Sequence, residues 1–561
     1  MKRSLSPKFQ PPAKRVNGTR SRELTFENSL YDELILLIFT YLSWSDLCAA
    51  QATNRTWARL AADNELWKAL YLGEYGRARL RGVRGHIGII SRADGREVRP
   101  LPGRVRAADV ASVKDWKWMF RISSNWRTGR CAVEHLREPL EHTINLSDIT
   151  QESPFPEQTH ILLAGSLIIT ASSLASLHPP IHLRPSSSGS AHTLLGTSSS
   201  VRPAQITAIA LDQSPPTLQT HQFRLASFLS TGEFTIFIID HTKPSASSRM
   251  LTYVPSARNA RNTPVVQAAY HHPLLITLSH AFVLSIYDLS EGEKEGGGKV
   301  RHTHTLTSFT SHPPASLVLS SLPAAGAYKL VLAYAVPVYP AHWSVGATEL
   351  IITGTGAIEV SSTRTARALD VPPGWVDERK LRGVREQWGR KVGKVAGVQT
   401  DGKWIVLAPG SPLAPTPVTS SSPSPPSSSS PSSSSSPSSS PSSERISTYN
   451  PTHLQLYRLH FPASPSAAAK LTFVRSLHGH TGPVSALSLA DGRCVSLGGG
   501  GVWVWDLEGG AEAGMGAEVI GSDEEREDGH EESEGKGCVV FDERRIVSSG
   551  ATGVQIRRFD I

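Results

Sequence analysis

Four cysteines, 21 histidines and a glycine run at 498–501 are the features of this 561-residue chain that could serve catalysis or metal binding. Zinc requires three or four thiolate, imidazole or carboxylate ligands brought together by short spacings. Cys48, Cys131, Cys494 and Cys538 lie far apart, form no CxxC pair and have no histidine beside them at zinc spacing. His271 and His272 precede a proline at a turn, and His302 and His304 alternate as in an edge strand, patterns that suit satisfied surface or core imidazoles. A phosphate loop would follow its glycines with Lys and Ser or Thr. Here Gly501 is followed by Val502. Neither a GxSxG elbow nor an HExxH helix occurs. No catalytic residue, metal or cofactor is expected, so the elements must be read for what they hold and touch.

A net charge of +8 with 39% apolar residues describes a soluble protein of at least two modules, long enough to bury a sizeable core. The longest strongly apolar run near the start, residues 34–42, is far short of the roughly 20 residues that span a bilayer. No membrane partner, signal peptide or anchor is expected. Widely spaced cysteines suit a reducing compartment, and the expected location is nucleus and/or cytoplasm. Residues 1–22 carry Lys2, Arg3, Lys14 and Arg15 with almost no apolar content, so a disordered tail is expected. Its two basic clusters resemble a bipartite import signal and equally suit a solvated basic tail.

The most informative stretch is residues 30–57, LYDELILLIFTYLSWSDLCAAQATNRTW. Leu30, Leu34, Ile38 and Leu42 recur every four residues with Ile35 and Phe39 beside them, which predicts a helix with a wide apolar face. Ser29 and Asp32 read as its capping pair, Ser45 as the cap of a second helix, and Trp57 and Leu60 as part of a third. About 40 residues of short helices bury little surface alone, so a helical protein partner is expected.

The pattern Leu-x-x-Glu-Leu-Ile-x-x-Ile-Phe-x-Tyr-Leu, then Asp-Leu, Asn-Arg-x-Trp and Leu66-Trp67-Lys68-Ala69-Leu70-Tyr71 resembles an F-box. Tyr31 stands where that family usually has proline, and Asn54 where cysteine is common. The resemblance implies that Leu30, Leu34, Ile35, Ile38, Leu42, Leu47 and Trp57 pack onto the Skp adaptor of a cullin-RING ubiquitin ligase. The F-box is placed at residues 23–75 and a linker at 76–127. Nine arginines within residues 73–106, interleaved with glycine, predict a mobile, solvated insertion; with no aromatic residues interleaved among the arginines to stack bases, no nucleic-acid partner is expected. A helix is predicted over 113–122, carrying Trp116, Met119 and Phe120 on one face. The run Asn125-Trp126-Arg127-Thr128-Gly129 after it resembles the junction in F-box/WD-repeat proteins, where a rigid helical linker meets a β-propeller.

Beyond residue 130 short runs of Val, Leu, Ile, Ser and Thr alternate with His, Gly and Pro breaks, a strand-and-turn pattern falling into seven groups of three strands. Sheets stacked radially bury both faces, the logic of a propeller. The sixth group, from His478-Gly479-His480 to Trp505-Asp506, resembles a WD repeat; Gly499 replaces the family's turn aspartate, so its His-to-Asp network is expected to be absent. Ile238-Ile239-Asp240, Ile286-Tyr287-Asp288 and Arg558-Phe559-Asp560 echo the same ending. A pair of β-sandwiches or another blade count is the rival arrangement. In a seven-bladed ring the strand near residues 130–136 would complete the last blade. Ser/Pro-rich residues near 411–447 and acidic residues near 509–535 are expected as disordered inserts.

The fold class expected is α+β multidomain: a small all-α F-box, a helical linker and an all-β, WD-repeat-like propeller over 128–561. The function the resemblance implies is a non-catalytic substrate-receptor adaptor of an SCF-type ubiquitin ligase, with Skp, cullin and RING subunits and a protein target, phosphorylated or not, as partners. A scaffold that binds Skp without ligase activity is the alternative, and a propeller enzyme the more distant one.

Overall fold

A computed structural model describes residues 30–76, 115–136 and most of 158–561, and within that last range 411–452 and 522–536 are the longest stretches outside the description. The basic tail, the arginine-rich run beyond Gly76, Ser29, Gly499 and the cores of both inserts lie outside the described residues. The chain divides into two compact units, one holding Met1–Arg77 and Lys114–Phe120, the other holding the remainder.

The first unit is all-α. Helix α1 (Asp32–Phe39) begins at Tyr31, whose backbone is extended and whose side chain makes no cap; Asp32 and Glu33 in the first turn complement the helix dipole instead. Helix α2 (Trp44–Gln51) starts earlier than the sequence suggested, because Ser43 rather than Ser45 accepts the Asp46 amide. Asn54 accepts the Trp57 amide at 2.8 Å to cap α3 (Arg55–Ala61), and Asp63 accepts the Glu65 and Leu66 amides to cap α4 (Asn64–Tyr71). Each cap satisfies amides that a helix start leaves without intrahelical partners. The chain then continues as a π-helical turn, Leu72–Gly76, where the sequence suggested that a mobile insertion begins. Ile35, Phe39, Leu47, Leu60, Trp67 and Phe120 form the core, and Trp67 Nε1 donates to the Ala61 carbonyl at 2.8 Å.

Helix α5 (Trp116–Thr128) is longer than the predicted 113–122, and Asn125 and Trp126 lie within its last turns rather than after it. Gly129 ends it at φ +71°, where a Cβ would fall 2.0 Å from the Glu518 carbonyl oxygen. A left-handed conformation and that close approach together require glycine. In the second unit, Trp126 stacks on Phe559 with centroids 4.1 Å apart and donates to the Glu543 carbonyl, while Asn125 donates to the Phe559 carbonyl.

Among the described residues the strands form seven four-stranded blades. The first six span residues 159–195, 206–253, 265–307, 312–367, 395–477 and 484–521. The seventh joins three strands over 538–558 to Arg130–Leu136, which pairs antiparallel with Gly553–Arg558. Two further parallel pairings, Arg130 with Ile520 and Cys131 with Gly521, make the sixth and seventh blades one continuous sheet. Closure by the strand at 130–136 is as expected. Central strands are mostly apolar because neighbouring blades cover both faces: every residue of Leu274–Ser279 and Trp404–Pro409 is buried.

Two features differ from the expected groups of three. Each blade has an outer fourth strand, such as Glu359–Arg367, whose alternate exposed Glu, Thr and Arg residues read as loop in sequence. A charged helix, α6 (Glu378–Gly389), capped by Asp377, lies between blades four and five.

Candidate partner-docking site

Helix α1 is apolar on two sides. Ile35 and Phe39 point into the core, while Leu34, Leu37 and Ile38 remain 45%, 56% and 42% exposed. Tyr41 and Trp44 continue this outward row at 85% and 51% exposure, with Tyr31 at its start. Residues 34, 37, 38 and 41 have the i, i+3, i+4, i+7 spacing of one helical face. The contiguous apolar row is held by structure below it. Phe39 meets the edge of Trp57 at 5.6 Å, the Trp44 ring lies 6.3 Å from Phe120, and Phe120 in turn packs against Trp67. Scattered exposed apolar residues are ordinary, but a continuous row of six on one short segment marks a protein contact.

The structure separates the seven residues predicted to touch a partner. Leu34 and Ile38 stand on the exposed row. Leu30, Leu42 and Trp57 are partly buried along the border of the core. Ile35 and Leu47 are fully buried, enclosed by the unit's own helices, and support the surface from beneath. Leu37, Tyr41, Trp44 and Tyr31 share the exposed row and were not among the seven. Their signal was present, since a helix apolar all round has more apolar surface than one small core can cover.

Asp32 pairs with Arg59 at 2.5 Å, with both side chains well exposed, a contact that contributes little to stability. Cys48 is exposed and unbridged, and Cys131 and Cys494 are buried. Burial pushes both the Cys494 and the Cys538 thiol up, the latter to about 11, which keeps them protonated and unreactive at neutral pH.

In the propeller, His160, Gln267, Ser316 and Gln399 from the innermost strands line a recess of about 220 Å³. Ser316 Oγ donates to Gln399 Oε1 at 3.0 Å, and a His160 ring nitrogen lies 3.2 Å from the Ile206 carbonyl. Desolvation lowers the His160 pKa to about 4, against a smaller opposing effect of that carbonyl, so its imidazole is neutral at pH 7. The recess thus presents neutral amide, hydroxyl and imidazole groups. No group of three or more metal-ligating side chains occurs among the described residues, and no described helix is long and apolar enough to cross a membrane.

The sixth blade shows what its WD-like ending does. Trp505 is buried and donates from Nε1 to the His478 carbonyl at 2.9 Å, and Asp506 Oδ1 accepts the Glu508 amide. Asp240 and Asp288, ending the same strand in blades two and three, likewise accept amides two residues on. These carboxylates build the turn to the outer strand. His480 is buried, its pKa lowered by desolvation, and no carboxylate pairs with it among the described residues.

Comparison with known proteins agrees with both units. Residues 29–73 match the family described as F-box-like. A stretch of 134 residues is 25% identical to a curated F-box protein of Saccharomyces cerevisiae, covering 23% of this chain and 21% of that protein. The chain therefore spans about a fifth of the length of that relative. A solved structure described as the complex of KlAtg21 with the coiled-coil of AgAtg16 covers 70% of this chain and 90% of its own at 8% identity and a TM-score of 0.35. Residues 146–527, more than half of the chain, match the F-box protein pof12 beta-propeller. With an F-box-like helical unit followed by that propeller, the chain belongs to the pof12 family of F-box β-propeller proteins.

Proposed function

We propose that this chain is a substrate-receptor adaptor of an SCF-type ubiquitin ligase, in which the F-box-like unit binds a Skp-type adaptor and the propeller holds a protein target. The observation that carries this reading is the exposed row Leu34, Leu37, Ile38, Tyr41 and Trp44 on a unit that matches the F-box-like family. Such a row suits insertion into an apolar groove on a helical partner, with side chains at i, i+3, i+4 and i+7 as anchors. The neutral amide, hydroxyl and imidazole groups of the propeller recess suit a protein whose partners carry the chemistry. Tethering a target beside a ubiquitin-charged enzyme raises its effective concentration, which accelerates transfer without any catalytic group on the tether.

The reading is tested by purifying the tagged full-length protein from cells and probing for Skp and cullin subunits together. Recovery of both supports the ligase adaptor. Recovery of Skp without cullin would instead support a scaffold that binds Skp and does not enter a ligase.

A further inference from the structure

Blade four departs from the other blades in a way that creates a second surface. Its central strands, Ala327–Val338 and His342–Thr353, are each 12 residues long, against 6 for Leu274–Ser279 in blade three. The extra length forms a hairpin end in which Val336 pairs with Ser344 and Val338 with His342. Trp343, on this end, exchanges backbone hydrogen bonds of 2.7 and 2.9 Å with Val392, just beyond α6. Between the hairpin and the helix lies a crevice of about 230 Å³ lined by Val336, Val338, Val345, Ser344, Arg367 and Trp388.

The chemistry of this crevice is one-sided. No residue of α6 is fully buried, and Trp388 remains 39% exposed on an otherwise strongly charged helix. Residues 378–394 carry seven Lys or Arg side chains against two Glu. Arg390 is engaged, its guanidinium 4.3 Å from the Phe473 centroid and 3.8 Å from Glu386. Arg379, Arg382 and Arg385 are exposed and make no ion pair among the described residues. Arg385 is one helical turn before Trp388, Lys391 Nζ lies 5.9 Å from the Trp388 ring centroid, and Arg367 lines the crevice itself. An apolar slot beside an exposed tryptophan and rimmed by cations is complementary to an acidic chain with an apolar side chain in its middle. Tryptophan and arginine are also the residues that dominate binding energy at protein interfaces, and guanidinium forks match carboxylate geometry.

We propose that the crevice between α6 and the extended hairpin of blade four docks an acidic peptide segment of a partner protein, one apolar side chain seated against Trp388 and carboxylates against Arg367, Arg385 and Lys391. This rests on the reading of the propeller as the platform that holds a target. The chain's own acidic stretch at 522–534, SDEEREDGHEESE, supplies carboxylates but no apolar side chain to fill the slot.

Fluorescence anisotropy with the full-length protein tests the proposal. The probe is a labelled peptide of about 12 Asp and Glu residues with a central Leu pair, compared with the same peptide carrying Ser in place of Leu. The Leu peptide is expected to bind saturably and more tightly than the Ser peptide. R367E/R385E should weaken it by about tenfold or more, as reversal of charges at a contact does. Trp388→Ser should remove the difference between the peptides. Thermal melting and Skp capture should be unchanged in both variants. Equal binding of the two peptides, undiminished binding to R367E/R385E, or no saturable binding to the wild type would overturn the proposal. Binding that appears only after deletion of 522–534 would also overturn it and assign the slot to that segment. Loss of Skp capture by the wild type with peptide binding intact would strike the adaptor reading alone.

Discussion

Neighbouring residues of α1 have opposite duties. Ile35 is enclosed while Leu34 beside it is half in solvent, so equal changes at adjacent positions should have unequal effects. Leu47→Ala removes a fully buried side chain and should cost the helical unit about 2–5 kcal/mol, visible as a lower melting temperature. Leu37→Ala, at 56% exposure, should shift stability by no more than about 0.5 kcal/mol yet weaken partner capture. Similar melting shifts for the two would contradict the two-faced helix. His160 provides a pH test. Its folded pKa of about 4 lies below the ordinary histidine value, so the unfolded chain binds the proton more readily. The associated stability is therefore present at neutral pH and is lost as pH falls from the ordinary histidine range towards about 4. His160→Gln, with an amide that can still donate to the Ile206 carbonyl, should melt with a smaller decline between pH 7 and about 5 than the wild type. Parallel declines would show that His160 does not contribute.

At the scale of elements, closure of the ring depends on pairing distant segments. Gly553–Arg558 lies between Arg545–Gly550 and the entry strand Arg130–Leu136, so its loss would strip a partner from both. Deleting residues 554–561 should lower the melting temperature of the propeller sharply, measured by calorimetry or circular dichroism. It also removes Phe559, on which Trp126 stacks. Unchanged melting would count against closure by this strand. Central strands could be read from sequence because burial on both faces leaves an apolar run, as in LLITLS at 274–279. Outer strands could not, since Glu359–Arg367 faces solvent along one side and resembles a polar loop. Helix α6 was missed for a related reason: its apolar stripe is reduced to Leu381, Val384 and Trp388 among charges. The α1 surface was half legible. Four-residue spacing located the helix, but spacing alone cannot say which apolar side its own unit covers: Ile35 is enclosed while Leu34 beside it is not.

At the scale of the whole molecule, one chain carries a helical unit with an uncovered apolar row and a ring whose inner recess holds neutral groups. Both present surfaces suited to protein contact. The central claim is that the exposed row of α1 is the hook for a Skp-type adaptor. Its most direct test is capture of purified Skp adaptor by the full-length wild type and by Leu34→Asp/Ile38→Asp, with the melting curve of each measured alongside. The account predicts tight capture by the wild type and loss of capture by the variant at an unchanged melting temperature. Equal capture by the two proteins, or no capture by the wild type, would contradict it.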